Sequence, residues 1–598
     1  MYLLTWRHES IMYYPIMASI IYKTKKGREY AYWVRSARVN GKPRIVEQVY
    51  LGPRDRFLEE TKAAYTRGQA PGPTPLKRLQ SREFGASAYL WNWAERLGLA
   101  EIVDRHVPPP PRRRRTQLSV GQYLVLAAVN RAVAPRSKRS FYEDWYKGSV
   151  VSRLCPAKES ELTSQRFWDH MDPVEPEHIE QIQRDVLEGL SEHFPLGGET
   201  ILYDTTNFFT FLDTFNARSE LAQRGDNKQK RRDLRQLSLA LFEDRDTGLP
   251  LYHQCYAGNR NDVTHFPFAR EGFLTQWLGG LGREAGQLTL VFDRGSPSEK
   301  NLRELDGEAI HFVSGVPASW ASDLLDVEPS RYEKLELPGT KHVKVYRERR
   351  ELLGGERSVL VVFSPTFYCK QRRTLNREQE KLEGRLQELG RKIQAWREGG
   401  RRGPGHTEAS VERKLRRWSA RDHLREFLEV ELTTEDGKVT GLEWSWNLEK
   451  KREVQRRHLG KQILVTSRHD WDSVSVVQAY RRLTRTEDLF RISKSRPGVW
   501  WPLFHWTDSK IRVHALYCFL ALVLLAILRL QLHRAGCSMS VDRAVRRLKD
   551  IDETLVIYTN GAADRALTEL DETQLEIAHA LGLFQLADQM GTTVLEQD

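Results

Sequence analysis

Two stretches decide the fold: ETILYDTTNFF at residues 199–209 and QLTLVFD at residues 287–293. Both are β-rich apolar runs, and both carry an aspartate where the apolar run stops, Asp204 and Asp293. A carboxylate at a strand end projects past the sheet edge, where a cleft can form. Aspartate there also commonly caps a turn, so each alone is weak; two in one region strengthen each other. Working outward, QLSLALFED (236–244), LPLYHQCYAG (249–258) and AIHFVSG (309–315) also read as strands, with a helical stretch over 266–278. Strands, helix, strand and then later helices predict a mixed α/β layer fold.

A third acidic group lies downstream, in SVVQAYRRLTRTEDLFRISKS at 475–495. In a helix, seven residues turn through about 700°, so Tyr480, Glu487 and Lys494 share one face, with Arg491 one turn beyond Glu487. Such a stripe of phenol, carboxylate and ammonium is long enough to follow several nucleotides. It is equally the pattern of an amphipathic helix with a wet charged face.

The rest of the chain sets the context. At 598 residues, with 40% apolar and 10% aromatic content, it is long enough for several domains and rich enough for real cores. Collagen-like and fully disordered readings are excluded. The net charge of +13 and pI near 9.3 favour an anionic partner. Cys155, Cys255, Cys369, Cys518 and Cys537 form no CxxC pair, and their odd number fits a reducing compartment better than a disulfide framework. No secretory signal is visible, residues 1–16 show no pattern, and Met17 is a second candidate start. The apolar run ALYCFLALVLLAIL (515–528) is shorter than the roughly 20 residues of a membrane span, and is expected as a buried core helix.

Before the first aspartate, residues 18–54 predict a β-hairpin turning at Asn40-Gly41, and QAPGPTP (69–75) a linker. Residues 76–196 read as a mostly helical region. Its PPPPRRRR run (108–115) is expected to be extended, either a surface linker or an arm along a phosphate backbone, and a second basic cluster follows at 136–139. Over 316–460 the pattern changes to two strands, a charged helix and a hairpin at Asp436-Gly437, and strand pattern returns at 461–467. Leu375, Leu382, Leu386, Leu389, Ile393 and Trp396 give that helix an apolar seam. Across 370–425, Lys and Arg outnumber Asp and Glu about two to one, so the arm is a candidate DNA contact as well as a candidate structural element. Residues 531–598 read as a mostly helical tail.

Tyr480, Glu487 and Lys494, following ILYDTTN and LVFDRG, resemble the DDE transposases of bacterial insertion sequences, and more closely the insertion-sequence-four superfamily with its Y-x2-R-x3-E-x6-K signature. PLFHWTDSKIRVHALYCFLAL (502–522) and the block from NKQKRRDL to AGNRND (227–262) are similar to that superfamily's further segments. The signature's arginine is Leu483 here, with Arg481, Arg482 and Arg485 beside it as candidates for its place. The resemblance implies an RNase H-like core in two parts, residues 197–315 and 461–530, separated by a β-rich and helical insertion at 316–460 and preceded by a helical DNA-binding region. It implies Asp204, Asp293 and Glu487 as catalytic ligands of two Mg²⁺ ions, with Mn²⁺ able to substitute. Magnesium suits oxygen donors, and a two-ion site suits phosphodiester chemistry. Tyr480, Arg491 and Lys494 would bind DNA.

The expected function is a transposase that binds terminal inverted repeats of double-stranded DNA, cleaves, and joins the end to target DNA, as a homodimer in the DNA complex. It is expected in the cytoplasm at the nucleoid, without a membrane partner. Should the element end pass through a hairpin, Trp444, Trp446, Trp500 and Trp501 are candidate rings for an extruded base, although core packing accounts for each as well. Two other functions compete: a metal-dependent nuclease of the same fold without strand transfer, and a non-catalytic DNA-binding derivative.

Overall fold

The computed structural model describes residues 17–25, 27–39, 42–59, 76–213, 216–225, 231–281, 284–338, 340–399, 404–420, 423–483, 490, 499–500, 503–558 and 563–594. It is a mixed α/β structure built on one large mixed sheet and many helices.

The chain opens on an antiparallel sheet of three strands, β1 (Met17–Lys25), β2 (Arg28–Val39) and β3 (Lys42–Pro53). Strands β2 and β3 pair as the expected hairpin does, as far as Val39 with Lys42, while its turn residues Asn40 and Gly41 lie outside the described residues. Strand β1 is additional to that hairpin. Gly27, with φ of 75°, turns the chain tightly enough for β1 to pair with β2.

Strand β4 (Leu76–Glu83) stands inside the stretch expected to be helical. Helices α1 (Gly85–Arg96), α2 (Leu99–His106), α3 (Val120–Val133), α4 (Ser164–Met171) and α5 (Pro176–His193) follow. Ser119 and Gln122 close a capping box at the start of α3, which satisfies end N–H groups before thirteen buried residues. The PPPPRRRR run is not extended throughout: Arg112–Arg114 forms a 3₁₀ turn. Arg114 binds Asp172 at 2.7 Å and Arg115 donates to the Pro110 carbonyl at 2.9 Å.

The central sheet begins with β5 (Thr200–Thr210), β6 (Arg235–Asp244) and β7 (Pro250–Ala257), antiparallel to one another. Helix α6 (Asp262–Leu281) then returns the chain to β8 (Thr289–Phe292), which lies parallel to β5. Helix α7 (Glu299–Gly307) carries it to β9 (His311–Val316), parallel to β8. Long crossovers of this kind are what parallel pairs require.

Strands β10 (Glu333–Leu337), β11 (Thr340–Leu352) and β12 (Gly355–Phe363) extend the sheet antiparallel. The arm follows: α8 (Pro365–Glu398), α9 (Glu408–Trp418), α10 (Leu424–Phe427), the hairpin β13 (Leu428–Glu435) and β14 (Lys438–Trp446), and α11 (Leu448–His458). Leu375, Leu382, Leu386, Leu389 and Ile393 of the predicted seam are buried, and they build two small cores of the arm's own. Asp436 and Gly437, at φ of 50° and 71°, make the expected hairpin turn.

Strand β15 (Lys461–Thr466) returns between β12 and β9, which completes a sheet in the order β10-β11-β12-β15-β9-β8-β5-β6-β7. Helix α12 (Ser473–Arg481) covers one of its faces. There Val476, Val477, Ala479 and Tyr480 pack on Leu202, Val291, Val313 and Leu464. On the opposite face lie Ile201, Tyr203, Phe292 and Phe312, with Phe266, Phe273 and Trp277 of α6. Helix α13 (Asp508–Arg534) contains the 515–528 run and is long and apolar enough to cross a membrane, yet it is buried in the protein's own core, as expected.

The tail is not simply helical. Between α14 (Val541–Lys549) and α15 (Glu572–Leu581) lie β16 (Asp552–Tyr558) and β17 (Ala563–Leu567), and α16 (Leu583–Gln589) follows. Strand β16 pairs with β4, more than 450 residues away in sequence. DETLVIY suits a strand through its β-branched residues, but its partner is too distant for local pattern to reveal. Arg153 clamps the join, donating to Glu553 at 2.6 Å and to the Met590 carbonyl at 2.9 Å. Glu553 is 1% exposed. Removing its partner leaves a buried charge, so Arg153→Ala is expected to cost about 3–5 kcal/mol, measured by urea unfolding. A loss under about 1 kcal/mol, the scale of a surface ion pair, would contradict the clamp.

Candidate functional site

The parallel pairing of β5 with β8 sets Tyr203 opposite Phe292. The next residue in each strand direction is an aspartate, so Asp204 and Asp293 follow side by side on neighbouring chains, which lie about 4.8 Å apart in a sheet. Leu202 and Val291 face α12; two residues on, strand alternation returns the aspartates to that face. Asp204 is half-buried and Asp293 exposed. Asp204 Oδ1 accepts from the Thr205 backbone N–H at 2.8 Å.

Tyr480 fixes the second carboxylate. Its hydroxyl donates to Asp293 Oδ1 at 2.5 Å from the overlying helix α12. Burial, and then the Asp293 charge, push the Tyr480 pKa far up, so the phenol stays a neutral donor. Tyr480 is 8% exposed and its hydroxyl is engaged by the carboxylate. The next strand makes the room. Ser314 pairs with Phe292, so Gly315 comes beside Asp293, and a Cβ there would collide with the Tyr480 hydroxyl and ring.

Asp262 is a neighbouring carboxylate that sequence reasoning does not single out. At the start of α6 it accepts from the Tyr256 hydroxyl at 2.7 Å, and it lies 4.0 Å from where a Cβ on Gly295 would be. An aspartate opening a helix reads as a first-turn acid, which conceals it. His265, one turn along, stacks on Tyr256 at 3.7 Å, and burial holds its pKa down at about 3, so the ring is neutral.

Glu487, Arg491 and Lys494 lie outside the described residues, as do Arg485 and Trp501. The site therefore brings together Asp204, Asp293 and Tyr480. Leu483 belongs to the apolar cluster beneath α12, where an arginine would be buried. Trp500 is 1% exposed and stacks on Phe208 at 4.3 Å, so it is a core residue, not a ring offered to a base. Trp444 and Trp446 pack against the arm's core.

The basic clusters divide. Lys138 is turned inward, donating to the Tyr517 hydroxyl at 2.8 Å, and burial drives its pKa well down. Arg112, Arg113 and Arg139 are exposed. In the arm, Arg372, Arg373, Arg377, Arg385, Arg391 and Arg397 of α8 all face solvent, because the buried seam occupies the other side of the helix.

No protein-family model and no curated protein matches the chain. Eight chains of solved structures match. One is the cryo-EM structure of a piggyBac transposase synaptic complex with hairpin DNA, at 9% identity and a TM-score of 0.34, over 77% of this chain and 78% of that one. At that similarity the overlay is loose, and the reading of the site rests on the residues described above.

The Gly315–Tyr480 fit is directly testable. Gly315→Ala is expected to cost about 1–3 kcal/mol by overpacking, whereas Gly286→Ala, with nothing within 4 Å, should cost far less. Equal denaturation midpoints for the two variants would contradict the packing.

Proposed function

We propose that this chain is a metal-dependent DNA transposase of the DDE type, with Asp204, Asp293 and Glu487 as its carboxylate triad. The observation that carries the reading is the pairing of Tyr203 with Phe292 where the parallel pair β5–β8 ends, with Asp204 and Asp293 the next residue in each chain. Three antiparallel strands followed by two parallel ones, in the order β7-β6-β5-β8-β9, support an RNase H-like core. The long insertion between β9 and α12 supports the insertion-sequence-four arrangement, and its basic arm supports DNA binding.

The donor set fits Mg²⁺: two carboxylates close together, one open to solvent, offer hard oxygen ligands with room for water. Bound divalent ions would supply Lewis-acid activation of an attacking oxygen and stabilisation of the leaving one. The chain's own contribution is positioning. The β5–β8 register sets the spacing of the two carboxylates, and Tyr480 orients Asp293 while leaving its other oxygen available. Glu487 would complete the set from beyond α12, with Arg491 and Lys494 on the DNA backbone. The substrate would be double-stranded DNA, at element ends and at target, acted on by a homodimer.

Asp204→Asn, Asp293→Asn and Glu487→Gln keep size and remove the anion. Each is expected to abolish Mg²⁺-dependent cleavage and end joining while DNA binding persists. Full activity in any one of them would overturn the assignment. Cleavage without joining in the parent chain would instead identify a nuclease.

Binding should weaken steeply with salt, because each phosphate that the protein neutralises releases counterions. Changing Arg372, Arg373, Arg391 and Arg397 together to Ala should lower the log–log salt slope by about 0.9 for each phosphate no longer neutralised. An unchanged slope would make the arm a structural element only.

A further inference from the structure

A second cluster of ligating side chains stands well apart in sequence from the strand-end carboxylates, at the base of the arm. His423, Glu426 and His458 place one potential ligand atom each within 4.8 Å of the others. His423 precedes α10 with a left-handed backbone, φ 59° and ψ 17°. From there its Nδ1 meets the Glu426 carboxylate one turn along. His458, the last residue of α11, lays its ring parallel to that of His423, with centroids 4.0 Å apart and 15° between planes.

The nearby cation Arg457 is turned away, onto Asp326 at 3.0 Å.

The geometry points to a transition-metal site, formed by His423, Glu426 and His458 and suited to Zn²⁺. Two nitrogen donors and one carboxylate oxygen are a borderline-soft set, which selects Zn²⁺ over Mg²⁺, with water as fourth ligand. Bond lengths of about 2.0–2.1 Å require ligand atoms roughly 3.3–3.5 Å apart in a tetrahedron. A nitrogen lone pair lies in its ring plane, so the two imidazoles would rotate out of their stack to share an ion, and His423 and Glu426, with side chains 41% and 49% exposed, have the freedom to move. The ion would cross-link the start of α10 to the end of α11. Gly460 and β15 follow α11 immediately, so the link would tie the arm's base to the central sheet. This inference does not depend on the proposed catalytic function.

The test is titration of the full-length protein with Co²⁺, which gives intense visible bands in a four-coordinate site and much weaker ones in a six-coordinate oxygen site. One equivalent of Co²⁺ is expected to produce the intense bands, and one equivalent of Zn²⁺ to abolish them. His423→Ala and His458→Ala should each weaken binding by about tenfold or more, since loss of even an outer partner of a ligand costs that much. Glu426→Gln, which preserves shape, should weaken binding as well. Asp204→Asn should leave the bands unchanged, which separates this site from the strand-end carboxylates. A parent chain without the intense bands, or His variants that keep them, would overturn the site.

Discussion

The alignment of two parallel strands is the constraint on which the rest depends. Strands β5 and β8 are brought together by the α6 crossover, and the pairing of Tyr203 with Phe292 brings the chain to Asp204 and Asp293 at the same end of the sheet. A slip of one residue would turn one carboxylate to the opposite face, into the aromatic packing of α6. The apolar sides of both strands are therefore what hold the acidic groups in place: Leu202 and Val291 under α12, Tyr203 and Phe292 under α6. Helix α12 adds the last restraint, because the glycine at 315 lets Tyr480 come down onto the sheet and reach Asp293.

Around this centre the chain is assembled from distant pieces. The insertion both widens the sheet, through β10–β12, and raises a basic arm with separate small cores, before β15 re-enters beside β9. The β4–β16 pairing and the Arg153–Glu553 pair stitch an early part of the chain to its tail. Helix α13, apolar on all sides, fills the centre against α3 and β7 and explains its membrane-like composition by burial on every face. The central sheet thus carries an arm whose arginines along α8 face solvent.

Local pattern makes a large share of this legible. Apolar β-rich runs locate β5, β6, β7, β8 and β9, and turn chemistry the bend at Asp436-Gly437; the heptad-like spacing of Leu382, Leu386, Leu389 and Ile393 names the buried side of α8. The strand-end position of Asp204 and Asp293 singles them out. What stays hidden is non-local. Nothing near Asp204 states that β8 will lie parallel to it, and nothing in DETLVIY names β4 as its partner. Helical spacing puts Tyr480 on a face with its neighbours but is silent about its bond to Asp293, which comes from a distant strand end. Lys138 reads as part of a basic surface because charge in a sequence is silent about the direction of a side chain, and it is turned onto Tyr517. The 3₁₀ turn at Arg112–Arg114 is invisible for a similar reason: its anchor, Asp172, lies far along the chain.

The most direct measurement is anomalous scattering from a crystal of the protein grown with Mn²⁺ and DNA. The account predicts manganese peaks within bonding distance of both Asp204 and Asp293, with Glu487 as a further ligand. Peaks remote from these aspartates, or a Glu487 carboxylate lying far from a metal shared by the other two, would contradict it.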